Sequence, residues 1–451
     1  MRTSASAESF PLGTASMSCG DKVFAWILGS VEFETFMSTY WEKKPLAIKR
    51  NSPEYYSGIF SRKSVENIIR VYPDFAKESI LFSRSVDESS ACPEDVEKFS
   101  SMVDAGWVAQ VVQPQQKNPK LHALIERLEN YTGTLWGSNF YLGSSAGSVP
   151  TCTNVELFVL QFAGSVSWKV YPAHTVLCRD SGNEYLPEDL GPCIVDEVLR
   201  PGDLLYIPRG CIYTSRCVEE TGAQYLTLST YHCNAWTDVI SAALTETVAN
   251  LTESDVFFRA GLPINWTSFF GTAVCETETN AKNRANFLAQ FELLVNKIAR
   301  ESLLRLDAIA DEMGADYIAL RTPPIKRKQR EEIFVFGPDP RTTQDLHVRL
   351  RNPSWVRIVA EEDGAAILFS CIDNDVSNHQ KSDNPMDAEP TSVELDGNSF
   401  SEMKNLLAKW PEWTYVAGSR EVLASLWEMG IIECRQNSPI TKRQKIDTLQ
   451  K

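Results

Sequence analysis

The sequence predicts a mainly β core of the jelly-roll class, joined to a helical module and to a third region with winged-helix features. Short strand-like runs follow one another closely between residues 136 and 236. Apolar residues then recur at helical spacing after residue 236, and a hairpin signature and two helices follow residue 323. With 451 residues, the chain is long enough for about two to three domains.

The strand predictions rest on apolar runs bounded by turn residues. The run at 151–164 is nearly continuously apolar and lies between Pro150 and Gly164, which is typical of a buried strand. The segments 201–210 and 224–233 have the same character. Strands at this density predict a jelly roll of two sheets.

The helical module is predicted from two apolar faces. One face contains Val239, Ile240, Ala243, Leu244 and Val248, and a second contains Phe287, Phe291, Leu294 and Ile298. Such faces would suit a homodimer interface. Packing of the same faces on the chain's own jelly roll is nearly as good an interpretation.

The third region combines a hairpin with two short helices. Residues 356–371 form a hairpin pattern with Glu-Asp-Gly as its turn. Ser399 and Glu402 have the spacing of a capping box that opens a helix, and Gly430 closes a second helix. These elements predict a winged helix, with the polar segment 374–389 as a loose loop.

These patterns divide the chain into five parts. The predicted parts are a disordered tail at 1–20, a jelly-roll domain at 21–236, a helical dimerisation domain at 237–322, a winged-helix domain at 323–436 and a basic tail at 437–451.

Composition excludes several classes of protein. No apolar stretch reaches the roughly 18 residues of a membrane span, and the first residues lack the apolar core of a secretory signal. The 11 cysteines are scattered without a CxxC pair, which indicates a reducing, intracellular compartment. The net charge of −15 makes the chain a poor general binder of nucleic acid.

Several separated strings resemble one known family in the same order. They are YWEKKPLAIKR at 40–50, NFYLG at 139–143, and the segments 154–172, 201–210, 226–236 and 350–364. Over about residues 22–436 the chain resembles the JmjC-type ribosomal oxygenases. The resemblance implies a cupin-like double-stranded β-helix, with Fe(II) and 2-oxoglutarate as cofactors. It also implies hydroxylation of ribosomal-protein histidines, with histone lysine demethylation in some members.

The metal positions that the resemblance implies are all substituted. The family's His-x-Asp pair falls on Thr151 and Thr153, and its second histidine falls on Tyr225. Neutral hydroxyls and a phenol of ordinary pKa about 10 are weak ligands for Fe(II), which favours two histidines and a carboxylate. The catalytic set is therefore not intact.

The cofactor positions that the resemblance implies are only partly kept. Asn139 matches the family's pocket asparagine, whereas the lysine that pairs with 2-oxoglutarate falls on Val166. The interval from Asn139 to Thr151 is about two residues shorter than in the family, and Tyr213 stands where a histidine is common.

Other residues are weak candidates to restore a metal site. Cys152 should point away from Thr151 because neighbouring strand residues face opposite sides. His174 follows a strand in a turn, and His232 lies several residues beyond Tyr225. We therefore expect neither Fe(II) nor 2-oxoglutarate to bind.

Two function classes follow. The first is a degenerate, non-catalytic family member, a pseudoenzyme that binds a ribosomal or chromatin protein as a scaffold. The second is an active Fe(II)- and 2-oxoglutarate-dependent dioxygenase, acting as a ribosomal-protein histidine hydroxylase or histone lysine demethylase, as whole-chain similarity alone would imply.

Localisation and partners are predicted from short charged segments. The basic clusters at 323–330 and 442–445 are typical of nuclear-import signals, although a solvated linker and a charged tail explain them about as well. With the family resemblance they favour the nucleus, or more narrowly the nucleolus. The acidic residues at 361–363 lie at the predicted hairpin, so we do not expect DNA binding.

Overall fold

Two antiparallel sheets form the core of the first half of the chain in a computed structural model. It describes residues 20–85, 88–93, 95–144, 147–183, 185–230, 234–274, 277–325, 336–360, 364–379, 388 and 390–436. The predicted tails, most of the first basic cluster, the acidic triplet at 361–363 and His232 lie outside these residues.

The larger sheet has eight strands in the order β1-β11-β7-β13-β5-β4-β2-β3. These strands are β1 (Leu46–Ile48), β2 (Ile80–Ser85), β3 (Glu88–Ala91), β4 (Val108–Val112), β5 (Trp136–Gly143), β7 (Glu156–Ala163), β11 (Leu204–Ile207) and β13 (Ala223–Thr230). The smaller sheet has the order β10-β8-β12-β6-β9. Its strands are β6 (Thr151–Cys152), β8 (Val166–Tyr171), β9 (Gly182–Asn183), β10 (Val195–Leu199) and β12 (Ile212–Cys217).

Alternation along the strands divides the apolar side chains between two cores. On β7, Phe158 and Leu160 join a large core with the N-terminal helices. Leu157 and Val159, on the other face, join Trp168 of β8 in the core between the two sheets. Successive strand residues face opposite sides, so the continuous apolar run predicted as a buried strand is buried on both.

Six helices precede or interrupt the first strands and pack on the outer face of the larger sheet. They are α1 (Gly20–Leu28), α2 (Phe33–Thr39), α3 (Arg62–Val71), α4 (Pro73–Ser79), α5 (Val96–Asp104) and α6 (Pro119–Thr132). The Asn118 side chain caps α6 by accepting from Leu121 N at 3.0 Å. Gly133, with φ of +66°, ends the helix.

A second compact unit comprises residues 233–315 and 358–360. It contains α7 (Trp236–Ser254), α8 (Val256–Arg259) and α9 (Glu278–Leu304), and α10 (Leu306–Leu320) begins within it. Ion pairs connect its helices, with Lys297 Nζ at 2.6 Å from Asp255 Oδ2 and Arg305 Nη2 at 2.9 Å from Glu246 Oε1. None of the described helices has the length and apolar character of a membrane span.

The C-terminal region contains two three-stranded sheets, ordered β18-β14-β19 and β15-β16-β17. The strands are β14 (Leu346–Leu350), β15 (Val356–Ala360), β16 (Ala366–Ser370), β17 (Thr391–Leu395), β18 (Thr414–Tyr415) and β19 (Ile432–Gln436), with helices α11 (Gly397–Lys409) and α12 (Arg420–Glu428). The predicted hairpin is confirmed as the neighbouring strands β15 and β16.

The predicted capping box at Ser399 is wrong. Helix α11 begins earlier, and the Asp396 side chain caps it by accepting from Ser399 N at 2.8 Å. An aspartate satisfies the free amides of a first turn as well as a serine does. The pattern therefore located the helix but shifted its start.

The prediction of a loose loop at 374–389 is wrong for its first part. Asn374 Nδ2 donates to Ile318 O at 2.7 Å, and His379 is only 1% exposed. Residues 380–387 and 389 lie outside the described residues. Polarity misled the prediction, because these polar groups find buried partners elsewhere in the chain.

His379 belongs to a buried hydrogen-bonded chain. Its Nε2 lies 2.8 Å from Glu129 Oε1, and its Nδ1 lies 3.3 Å from Gln115 Nε2. Ser138 Oγ donates to Gln115 Oε1 at 2.7 Å. Burial alone would raise the pKa of Glu129, but the charges of His379 and Arg321 and the hydrogen bond from Thr322 hold it below its ordinary value.

We predict that His379→Leu lowers the free energy of unfolding by about 3 kcal/mol, because Glu129 stays buried without its imidazole partner. Urea unfolding monitored by circular dichroism measures this change. The matched control is His174→Ala, at an exposed histidine whose Nε2 lies 2.7 Å from Asp189 O, and it should cost no more than about 0.5 kcal/mol. Equal losses in the two variants would contradict the prediction.

Candidate functional site

Two of the substituted family positions lie in the core between the two sheets. Tyr225 lies on β13, opposite Tyr141 of β5 and Gln161 of β7. Val166 opens β8 and pairs with Cys217 of β12 and Leu199 of β10. The jelly roll thus brings the Tyr225 and Val166 side chains to the same interior, where both join one apolar cluster.

Four aromatic rings occupy this interior. The Tyr225 ring stacks on the Tyr141 ring with centroids 4.7 Å apart and planes at 14°. It meets Trp168 edge-on at 5.6 Å, and Trp168 lies 5.9 Å from Tyr213. These separations lie within the range of favourable aromatic pairs, so the rings form one packed cluster.

The phenols of this cluster are held in their protonated form. Burial raises the pKa of Tyr225 and that of Tyr213 well above 10. Burial also raises the pKa of Tyr141 to about 12, although a hydrogen bond with the Asn139 side chain works in the opposite direction. Protonated phenols are poor ligands for Fe(II), which prefers imidazole and carboxylate in oxygenases.

Little space remains beside the rings. A cavity of about 20 Å³ remains, and its wall includes Val166, Tyr141, Tyr225, Ser215 and Cys217. Such a volume accommodates about one water molecule. No cationic side chain contributes to the described wall, and the carboxylate of a bound dicarboxylate would need a charge-assisted partner.

The two threonines direct their hydroxyl protons to the backbone. Thr151 Oγ1 donates to Gly182 O at 2.9 Å. Thr151 of β6 also pairs with Tyr213 of β12. Thr153 Oγ1 donates to Val155 O at 3.3 Å, and Thr153 O accepts from Gly210 N at 2.9 Å. The Thr151 hydroxyl thus binds the backbone of β9, and the Thr153 hydroxyl binds that of the loop between β6 and β7.

Asn139 also has a structural partner. It lies on β5 opposite Thr227 of β13, and its side chain hydrogen-bonds Tyr141. The position that matches the family's pocket asparagine therefore supports one of the rings that fill the interior.

The residues weighed as replacement ligands lie elsewhere. Cys152 is 3% exposed and packs with Cys178 and Ile212 in a separate cluster, with its Sγ 3.2 Å from Tyr185 Oη. His174 is bound to the backbone of Asp189, and His232 is outside the described residues. Within the described ranges, no three His, Cys, Asp or Glu side chains are grouped to hold a metal ion.

The residues present at the family positions therefore do not fit Fe(II) and 2-oxoglutarate. Three hydroxyl groups replace the two imidazoles and one carboxylate of a facial triad. A valine replaces the cation, and two stacked tyrosine rings border the remaining cavity.

Sequence analysis missed a titratable carboxyl group on the opposite face of β7, beside the core beneath the helices. Glu156 is fully buried at the start of β7, and the Tyr206 hydroxyl donates to its Oε2. Arg209 Nε lies 3.5 Å from Glu156 Oε1. Burial, opposed by the Tyr206 hydrogen bond, raises the pKa of Glu156 to about 7. The apolar run at 151–164 indicated that Glu156 is buried, but it did not indicate that the pKa of Glu156 is raised.

Comparison with known proteins identifies the class of this fold and site. Residues 110–237 match the family model described as the JmjC domain, and this range includes all five substituted or matching positions discussed above. The chain therefore contains a JmjC domain, as the sequence resemblance implies.

The relatives are named NO66 or ribosomal oxygenase 1, so the predicted resemblance to ribosomal oxygenases is confirmed. The chain is 28% identical to the Aedes aegypti protein named bifunctional lysine-specific demethylase and histidyl-hydroxylase NO66, over 92% of this chain and 68% of that one. It is 26% identical to human ribosomal oxygenase 1, over 88% of this chain and 63% of that one. The Escherichia coli ribosomal oxygenase YcfD, solved with cobalt and 2-oxoglutarate, is 16% identical and aligns with a TM-score of 0.46, covering 90% of this chain and 99% of that one.

We predict that the raised pKa of Glu156 makes stability fall as the pH rises from about 5 to 7. The native state keeps a proton that the unfolded state has already released, so ionisation at Glu156 costs up to about 3 kcal/mol. Glu156→Gln should flatten the dependence of the free energy of unfolding on pH in this window.

Urea unfolding at a series of pH values tests this prediction. Glu54→Gln, at an exposed position, should keep the wild-type slope. A wild-type slope in Glu156→Gln would show that another group titrates in the window.

Proposed function

We propose that this chain is a ribosomal-oxygenase relative that no longer catalyses oxidation and acts as a scaffold for a protein partner. The observation that carries the proposal is the packed cluster of Tyr141, Trp168, Tyr213 and Tyr225. These rings lie in the interior where the family resemblance places the metal and 2-oxoglutarate.

The chemistry of the oxygenase reaction supports the same proposal. The family's metal binds three protein ligands on one face and leaves the other positions for 2-oxoglutarate and oxygen. Thr151, Thr153 and Tyr225 offer neutral oxygens, and two of those hydroxyls already donate to backbone carbonyls. A neighbour can compensate for the loss of a single ligand, whereas a change at every position removes the basis of the site.

An active oxygenase is the second candidate function. It would be a histidine hydroxylase of ribosomal proteins, a histone lysine demethylase, or both, as the family resemblance implies. The Aedes aegypti relative is named a bifunctional lysine-specific demethylase and histidyl-hydroxylase. Similarity over 92% of the chain favours this candidate. The same similarity is expected from a retained jelly roll, so the two candidates differ only at the ligand positions.

Metal content and succinate release distinguish the two candidates. The purified chain is loaded anaerobically with Fe(II), desalted, and assayed for iron and for succinate formed from 2-oxoglutarate. E. coli YcfD is the positive control. We expect substoichiometric iron and no succinate above the buffer control. Stoichiometric iron with succinate release that depends on a protein substrate would overturn the proposal.

We predict that Thr151→His, Thr153→Asp, Tyr225→His and Val166→Lys together restore part of the Fe(II) affinity but little turnover. The new side chains supply the ligand types and remove one ring of the cluster. The shorter interval from Asn139 to Thr151 displaces the first ligand, and roughly 1 Å of displacement costs about a hundredfold in rate.

The control changes the three ligand positions without supplying metal ligands, namely Thr151→Val, Thr153→Val and Tyr225→Phe. Calorimetric titration with Mn(II) under identical conditions compares the two. Full activity in the restored variant would show that the pocket geometry was intact. Equal, negligible metal binding in both would contradict the expected recovery.

The partner and compartment are part of the proposal. A nuclear or nucleolar scaffold would bind a ribosomal or chromatin protein, the class of substrate that the family resemblance implies. The basic cluster beginning at Pro323 and the one at Lys442–Lys445 support nuclear import.

Homodimerisation through the helical unit is also proposed. Helix α9 has no buried residue over its 27 positions. Leu288, Phe291 and Val295 on it are 49%, 56% and 44% exposed, and Ile240 on α7 is 51% exposed. An apolar surface of this extent is typical of a protein interface. A second copy of the same chain is a suitable partner, since most soluble oligomers are symmetric homo-oligomers.

We predict that Phe291→Glu weakens the dimer at least tenfold, because it places a charge in a desolvated interface. Light scattering over a range of micromolar concentrations measures the effect. Gln290→Glu, at the adjacent exposed position, makes the same charge change and should leave assembly unaltered. A wild-type monomer at these concentrations would count against the interface.

A further inference from the structure

The outer face of the three-stranded sheet β18-β14-β19 carries an unusual set of side chains. On β14, Leu346, Val348 and Leu350 are buried, whereas His347 and Arg349 alternate with them and point outward. On β19, Cys434 is buried and Arg435 is exposed. The buried residues anchor the sheet, so the outward ones are available for another role.

Register places these side chains in two rows. His347 pairs with Tyr415 on one side and Arg435 on the other. Arg349 pairs with Glu433, and Trp413 directly precedes β18 beside it. The face therefore presents two aromatic residues along one edge and two guanidinium groups across the neighbouring strands.

Contacts with Trp413 and Glu433 hold the two arginines of this face in place. The guanidinium carbons of Arg349 and Arg435 lie 4.7 Å and 4.6 Å from the centre of the Trp413 ring. Arg349 Nε donates to Glu433 Oε1 at 2.7 Å. These contacts order the arginines before any ligand arrives, which lowers the entropic cost of binding.

The Tyr415 ring in the first row is accessible to solvent. Tyr415 is 56% exposed, and the His347 ring meets it edge-on at 5.8 Å. An exposed ring on a sheet, with guanidinium groups a strand or two away, matches how proteins bind unpaired bases and their phosphates. Glu433 is paired with Arg349 on this face, and Arg435 is exposed, so Arg435 is the guanidinium placed to meet a phosphate.

We propose that this sheet face binds single-stranded RNA. Tyr415 stacks on a base, Arg435 contacts a neighbouring phosphate, and His347 with the Tyr415 hydroxyl provides polar groups for a ribose 2′-hydroxyl. Because the surface is a sheet face, it fits a splayed single strand better than the groove of a duplex. The sequence predicts no DNA binding, and this proposal is limited to single-stranded RNA.

Fluorescence anisotropy with the full-length chain tests the proposal. The probes are fluorescein-labelled oligouridine and oligoadenine of about a dozen nucleotides, with matched DNA strands, an RNA duplex and a polyglutamate peptide. We expect micromolar binding of the RNA strands at about 50 mM NaCl that weakens steeply towards about 200 mM. The duplex and the DNA strands should bind several-fold more weakly.

Variants on the face assign the binding to it. Tyr415→Ala should weaken RNA binding roughly fivefold to a hundredfold, the usual effect of removing a stacking ring, whereas Tyr415→Phe keeps the ring and most of the affinity. Arg435→Glu should weaken binding about tenfold and lower the slope of log affinity against log salt by about one or more. Arg216→Glu, at an exposed position of β12, makes the same charge change away from this sheet and should bind as the wild type does.

Several outcomes would overturn the proposal. RNA binding that Tyr415→Ala and Arg435→Glu leave unchanged would assign it to another surface, such as the basic tail. Equal affinity for DNA strands would remove the assignment to RNA, and preferential binding of polyglutamate would indicate an acidic-peptide site. If no RNA binding is detectable at low salt, the proposal is wrong, whatever the iron and succinate assays show.

Discussion

Strand alternation in the jelly roll is the constraint on which the rest of the site depends. It sends Leu226 and Leu228 of β13 into the core beneath the helices and turns Tyr225 into the space between the sheets. The same alternation turns Val166 and Trp168 of β8 into that space. A histidine at position 225 would place an imidazole there, whereas a tyrosine places a ring that stacks on Tyr141. The same strand geometry thus accommodates a tyrosine at position 225, whose ring packs against its aromatic neighbours.

Much of the fold was predictable because the signals were local and repeated. Continuous apolar runs indicated β7 and β11, and the hairpin pattern indicated β15 and β16. The positions of the substituted ligands were available from family resemblance, since they lie at fixed places beside these strands. How the substituted side chains pack was not available, because the stacking of Tyr225 on Tyr141 joins residues 84 positions apart in the chain.

The wrong or missing predictions share a physical cause. Polarity of the segment after Asn374 suggested a loose loop, yet His379 is buried against Glu129, a residue 250 positions away. Glu156 lies in the run predicted only as a buried strand, yet its burial beside Tyr206 raises its pKa to about 7. Both depend on desolvation and on distant partners. The start of α11 was misplaced for a smaller reason, because Asp396 and Ser399 are both good capping residues.

The central claim is that aromatic packing occupies the place of the metal and 2-oxoglutarate. A crystal structure of the chain grown anaerobically with excess Mn(II) and 2-oxoglutarate tests this most directly. We expect density for the stacked rings of Tyr141 and Tyr225 in the interior, and no metal or dicarboxylate beside Thr151, Thr153 or Val166. A metal ion with bound 2-oxoglutarate between the two sheets, with the tyrosine rings displaced, would contradict the account.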